Sequence, residues 1–170
     1  MLSAQNVYED GFDAIIVGAG FAGMYMLYKL RSMGLNTRVY ERGDGVGGTW
    51  YWNRYPGARC DLESMEYSYS FDDALQQDWD WNEKYGTQPE LLKYANHVAD
   101  RFDLRRDIVF ETRVKSAHYN DATSRWVVTT DCGSRPTTTH LVLATGNLST
   151  PQLPKIDGVA NFDGRSFHTG

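Results

Sequence analysis

Asp13-Ala14-Ile15-Ile16-Val17-Gly18-Ala19-Gly20-Phe21-Ala22-Gly23 decides the fold of this 170-residue chain. It opens as a short, β-branched apolar run without polar alternation, the pattern of a strand buried on both faces of a parallel sheet. The run stops at Gly18. From Phe21 onward Met24, Leu27 and Leu30 recur at three-residue spacing and the pattern ends before Gly34, which predicts a helix with a glycine stop. Thr37 to Glu41 read as a second short strand. The three elements complete a strand-helix-strand unit of about 30 residues, a unit that is nearly always right-handed and parallel.

Gly18, Gly20 and Gly23 stand at G-x-G-x-x-G spacing between that strand and that helix. Gly18 permits the tight turn, Gly20 lets backbone approach a pyrophosphate, and Gly23 lets the helix pack close to the strand. The unpaired N–H groups of the first helical turn, where Phe21 and Ala22 lie, attract an anion. Glu41 follows Gly23 by 18 residues and ends the second strand, a position suited to accepting hydrogen bonds from a ribose and repelling a 2′-phosphate. Together these features predict a dinucleotide site. Which dinucleotide they leave open, since FAD and NAD use the same backbone physics; the plain alternative for Glu41 is a solvated strand-end acid.

Further along, Thr87 and Glu90 form a capping-box pattern, and Leu91, Leu92, Ala95, Val98, Ala99 and Phe102 continue an apolar helical face. Ile108 to Val114, Ala117 to Tyr119, Trp126 to Thr130 and His140 to Ala144 predict strands, with turn chemistry at Asn120-Asp121 and Cys132-Gly133-Ser134. The expected architecture is therefore α/β: a Rossmann-like three-layer domain with a parallel sheet, a helical insert around Thr87 and a small antiparallel β-meander before His140. Residues 1–150 are expected to form that domain and 151–170 a linker.

Composition narrows the function. Seventeen basic against 22 acidic residues give a net charge of −5, which argues against a nucleic-acid or anionic-membrane binder held by bulk charge. Two cysteines, Cys60 and Cys132, supply neither a disulfide framework nor zinc spacing, so no metal site is expected and a reducing, cytoplasmic setting is. Neither a signal peptide nor a membrane span is expected at the N-terminus. Aromatic residues make up 14% of the chain and cluster between Trp50 and Trp81.

The stretch from Gly43 to Asp61 holds five glycines and one proline, a composition too irregular for a strand or helix, and predicts a long functional loop. Within it, Gly45-Val46-Gly47-Gly48-Thr49-Trp50-Tyr51-Trp52-Asn53-Arg54-Tyr55-Pro56-Gly57-Ala58-Arg59-Cys60-Asp61 resembles the type I Baeyer-Villiger monooxygenases, the flavin enzymes of the cyclohexanone and phenylacetone monooxygenase group. Leu143-Ala144-Thr145-Gly146 is similar to the strand-end Ala-Thr-Gly of two-dinucleotide flavoproteins. Phe162, Gly164, His168 and Thr169 fit the start of the family fingerprint F-x-G-x-x-x-H-T. The resemblance runs from about Asp13 to the last residue and covers only the first part of such an enzyme.

What the resemblance implies is an FAD-binding fragment of an enzyme that uses NADPH and O2 to insert oxygen beside a ketone, giving an ester or lactone. Gly48, Thr49, Trp50, Tyr51 and Trp52 would line FAD; the plain alternative is that the rings fill a core beneath the loop. Arg59, Cys60 and Asp61 would lie where flavin and NADP(H) meet. Asp61 would there orient an arginine that the family carries outside this stretch; the alternative is a local Arg59–Asp61 surface pair. Tyr67 matches a flavin-contacting position, although Tyr67 and Tyr69 also alternate with Ser68 and Ser70 as a half-buried strand would. Val114 matches a position where backbone meets the adenine, and Thr145 and Gly146 complete the cofactor set. His168 reads as a hinge residue, while His97, His118 and His140 read as structural. The fragment alone is expected not to turn over ketones. Rival readings are a flavin-dependent N- or S-oxygenating monooxygenase and a non-catalytic FAD-binding module; a disulfide reductase would need a cysteine partner that Cys60 lacks.

Overall fold

The computed structural model describes residues 9–169. Strand β1 (Glu9–Val17) runs into helix α1 (Phe21–Ser32), and β2 (Thr37–Tyr40) returns parallel to β1 in the register Ile16 to Val39. Four helices follow before the sheet resumes: α2 (Thr49–Trp52), α3 (Ser64–Tyr67), α4 (Asp73–Gln77) and α5 (Gln88–Arg101). Strands β3 (Ile108–Val109), β4 (Val114–Asn120), β5 (Arg125–Thr130) and β6 (Pro136–Leu143) complete a six-stranded sheet of order β3-β2-β1-β6-β5-β4.

Period-two alternation sorts the sheet's side chains into two cores. Ile16, Val39, Val142 and Ala144 face α1 and α5, packing with Met24, Leu27, Ala95 and Ala99. Ile15, Tyr40 and Leu141 face the other way. There they meet Val114, Ala117 and Val128 from β4 and β5, so the outer hairpin folds back across the sheet as the third layer.

The structure revises several expectations. The sheet is mixed rather than parallel: β1 pairs in parallel with β2 and β6, whereas β5 is antiparallel to both β6 and β4. The meander is part of this sheet, because its last strand, carrying His140, inserts directly beside β1. The run Ile108 to Val114 divides into β3 and the start of β4, the chain turning where the Thr112 amide donates to the Glu41 carbonyl at 2.8 Å. The stretch from Gly43 to Asp61 is not wholly irregular, since α2 forms one helical turn within it. No strand carries Tyr67 and Tyr69; α3 ends at Tyr67. The capping box does not form: the Thr87 hydroxyl caps nothing, and the Glu90 carboxylate accepts from the backbone and side-chain amides of Asn82, at 2.9 and 2.6 Å, rather than from the Thr87 amide.

Most of the aromatic cluster fixes the insert. Tyr69 and Phe71 pack against Phe21, Tyr25 and Tyr28 of α1, while Trp79 and Trp81 pack around Tyr94 of α5. The Tyr69 hydroxyl donates to the Phe21 carbonyl, and the Tyr69 amide donates to the Tyr94 hydroxyl at 2.9 Å.

Candidate functional site

The carboxyl ends of β1, β2 and β6 lie side by side. Gly18 N donates to Tyr40 O and Ala144 N to Val17 O, each at 2.9 Å, which brings the three strand-to-loop turns together. A crevice at such a place is where open α/β sheets take their ligands. Here it holds a cavity of about 330 Å³ lined by Gly18, Gly20, Phe21, Ala22, Glu41, Thr145 and Gly146.

Its floor depends on absent side chains. A Cβ on Gly23 would lie 1.9 Å from the Gly18 carbonyl oxygen, so any other residue would push α1 off the turn. Gly18 itself has φ of +103° and passes the Ala144 carbonyl with no space for a Cβ. Gly48 lies over Gly20 from the following loop, and the Gly47 amide donates to Ala19 O at 3.0 Å. Helix α1 starts at this spot with Gly20 as a cap without a side chain and no acidic residue in the first turn. Its first amides therefore open onto the cavity with the positive end of the helix dipole behind them.

Glu41 is buried, 5% exposed, and both carboxylate oxygens accept backbone N–H bonds, from Ala19 at 2.7 Å and from Gly43 at 2.8 Å. It thus joins the first turn to the following loop, and the solvated strand-end alternative is overturned. Each oxygen keeps a further acceptor position for a ligand hydroxyl.

Trp50, Trp52, Thr49, Gly48 and Tyr67 complete the lining, with the Tyr67 ring edge-on to Phe21 at 5.0 Å between centroids. Trp50 Nε1 donates to the Tyr67 hydroxyl at 2.6 Å, and the rings meet edge to face with centroids 5.8 Å apart. Burial pushes the Tyr67 phenol above its ordinary range while the Trp50 bond pulls it back, so at neutral pH it keeps its proton. Trp52 is partly exposed and carries the Arg42 guanidinium 4.2 Å from its ring centroid. Tyr51 is the exception among the expected rings. It does not line the cavity: its ring packs on Gly43 and Gly45, and its hydroxyl donates to the Asp44 carboxylate, which raises the phenol's pKa.

Trp50, Thr49 and Tyr67 also border a second, wider cleft of about 920 Å³. Arg59, Cys60 and Asp61 line it together with Asn53, Tyr55 and His168. Arg59 does not pair with Asp61. Its guanidinium donates to Glu83 at 2.6 Å and to the Tyr85 carbonyl, while the exposed Asp61 lines the cleft outside that pair. Cys60 is buried against Trp50 and Leu91. Both cysteines are free thiols.

Besides Tyr51, two further expected residues lie elsewhere. Gly23 acts through packing, and Val114 lines neither cavity but joins the core of Ile15, Tyr40 and Val128. The sequence reading passed over Gly47, Leu148 and Ser149 of the first cavity and Asn53 and Tyr55 of the second. Of these, Gly47, Asn53 and Tyr55 sit inside the stretch already singled out, so position in that loop was the available signal.

Residues 15–168 match the family described as pyridine nucleotide-disulphide oxidoreductase. A Baeyer-Villiger monooxygenase from Pseudooceanicola batsensis is 51% identical over 99% of this chain and 32% of its own length. A phenazine N-monooxygenase from Lysobacter antibioticus is 48% identical over 94% of this chain and 30% of its own length. Among solved structures, an oxidized steroid monooxygenase bound to NADP superposes with a TM-score of 0.83 at 55% identity, over 89% of this chain and 29% of that one. A further structure, OTEMO in complex with FAD and NADP, gives 0.85 at 42% identity, over 93% of this chain and 30% of that one. The chain spans about a third of the length of the relatives it matches. With its glycine turn, its strand-end glutamate and a match across nearly its full length, this chain belongs to the pyridine nucleotide-disulphide oxidoreductase family and is similar to Baeyer-Villiger monooxygenases.

Proposed function

We propose that this chain is the FAD-holding part of a flavin-dependent, NADPH-using Baeyer-Villiger monooxygenase that inserts one oxygen atom from O2 next to a ketone. One observation carries the reading: a side-chain-free helix start, a buried carboxylate and the rings of Trp50, Trp52 and Tyr67 line the same cavity. The donor set fits FAD. The first amides of α1 suit its pyrophosphate, the spare acceptor capacity of Glu41 suits its ribose, and the aromatic wall suits a flat ring. Tyr51 would support the loop rather than touch the ring, Val114 would act through its backbone, and Gly23 through packing.

When bound, FAD would supply the redox and oxygen-transfer chemistry. This chain's own residues bind and orient. The protonated Tyr67 hydroxyl, which accepts from Trp50 Nε1, lines both cavities and would serve as a neutral hydrogen-bond donor to the flavin. Asp61, at the rim of the second cleft, would hold a cationic side chain supplied from beyond this stretch by charge-assisted hydrogen bonds. Arg59 and Cys60 share that cleft, which we assign to NADP(H). Residues 1–150 form the FAD-binding unit in this reading and 151–170 the connection to the NADPH-binding region. No described helix is long and apolar enough to cross a membrane, and we assign the protein to the cytoplasm with neither nucleic acid nor membrane as partner.

The experiment is an absorbance spectrum of the purified protein after incubation with FAD and removal of excess, expected to keep oxidised-flavin bands. A colourless, folded sample overturns the reading. N-oxygenation is the second reading, favoured by the 48% identity to a phenazine N-monooxygenase. Products formed by the full-length enzyme from a ketone and from an aromatic N-heterocycle separate the two.

A further inference from the structure

The loop between β2 and α3 has two limbs, and one residue of α5 holds both. Gln88 is buried, and its side-chain amide donates to the Trp50 carbonyl. Its own backbone N–H donates to the Ala58 carbonyl at 2.9 Å. A carbonyl only accepts, so the amide orientation of Gln88 is fixed with nitrogen toward Trp50. Beside this clamp the Cys60 amide donates to Gly86 O at 2.9 Å, and Arg59 and Thr87 form an antiparallel bridge. Trp50 walls both cavities, while Ala58 leads directly into Arg59, Cys60 and Asp61 of the second.

We propose that Gln88 is a positioning residue that sets the Trp50 wall against the Arg59–Asp61 segment, and so fixes the slot in which the flavin ring lies. The inference rests on the FAD reading above. Gln88 touches the cofactor through neither bond; it acts through Trp50 and Ala58. Local turn geometry cannot replace it, because Trp50 and Gln88 are 38 residues apart and the short α2 has no side-chain cap of its own.

Gln88→Met keeps the side-chain volume and removes the donor, and Gln88→Glu places an acceptor against an acceptor. Glu90→Gln, two residues along the same helix, serves as a comparator that perturbs the Asn82 tether without touching the loop. The measurements are the FAD dissociation constant and the visible circular dichroism of bound flavin, beside the melting temperature of each FAD-free protein. Gln88→Met is expected to weaken FAD about tenfold and alter the flavin dichroism, Gln88→Glu to do so more strongly, and Glu90→Gln to leave the dichroism unchanged. FAD bound by Gln88→Met with unchanged affinity and dichroism overturns the inference alone. Altered dichroism in Glu90→Gln equal to that in Gln88→Met also overturns it, since the effect would then be general loosening of α5. No FAD binding by the unsubstituted protein overturns the inference together with the reading beneath it.

Discussion

On the β1 and α1 side of the first cavity, the chain turns within Gly18 to Gly23, and the contacts are with the adjoining strand ends. On the α2 side, Trp50 and Tyr67 hold each other, and Trp50 is held in turn by Gln88, far away in sequence. The first wall is backbone geometry, stiff because glycine leaves no side chain to move. The second is a set of side-chain tethers, each worth about 1 kcal/mol and each removable alone. A dinucleotide laid between them would have its phosphates fixed by the rigid side and its ring tuned by the adjustable one.

The largest expected effect breaks the rigid wall. Gly23→Ala puts a Cβ into the Gly18 carbonyl and is expected to cost at least about 3 kcal/mol and to abolish FAD retention, read by urea unfolding and by absorbance. Glu41→Gln comes next. It replaces one acceptor with a donor facing a buried N–H, for about 2 kcal/mol by the same unfolding assay, with weaker FAD binding.

On the adjustable side, Trp50→Phe removes the bond to Tyr67 and should cost about 1 kcal/mol while changing the spectrum of bound flavin more than the stability. Tyr67, Tyr69 and Tyr94 add a pH signature. Burial raises all three phenols, so the folded chain keeps protons that the unfolded chain releases from about pH 10 upward. Their contribution is whole below that pH and declines as pH rises through and above it. Tyr69→Phe should flatten the fall in unfolding free energy between about pH 9.5 and 11. The smallest effect belongs to Glu83→Gln. Its bond to Arg59 is half exposed, so stability should change by less than about 1 kcal/mol; a larger loss would place that pair in the framework rather than at the rim of the cleft.

The rigid wall was legible because its signals are local. Gly18, Gly20 and Gly23 report backbone constraints within one turn, and Glu41 ends the next strand. Trp50, Trp52 and Tyr67 were legible through a resemblance in an unusual loop, whereas periodicity around them was misleading: Ser68 and Ser70 alternate with tyrosines, yet the segment packs as a non-strand over α1. Tyr51 and Trp52 are neighbours of similar character, and nothing in their order says that one ring lines the cavity and the other rests on Gly45. The pairing of Arg59 with Glu83 in place of Asp61 was equally hidden, since it depends on how residues 58–60 align with residues 86–88.

The sequence by itself determined the strand-turn-helix unit, the glycine positions and the acid at the end of the second strand, because each follows from the conformational limits of a few consecutive residues. Only the tertiary structure decided that β6 inserts beside β1, that the outer hairpin folds back as the third layer, and that Gln88 holds the loop. Those outcomes depend on which distant surfaces bury each other, and that is settled by the packing of the whole chain.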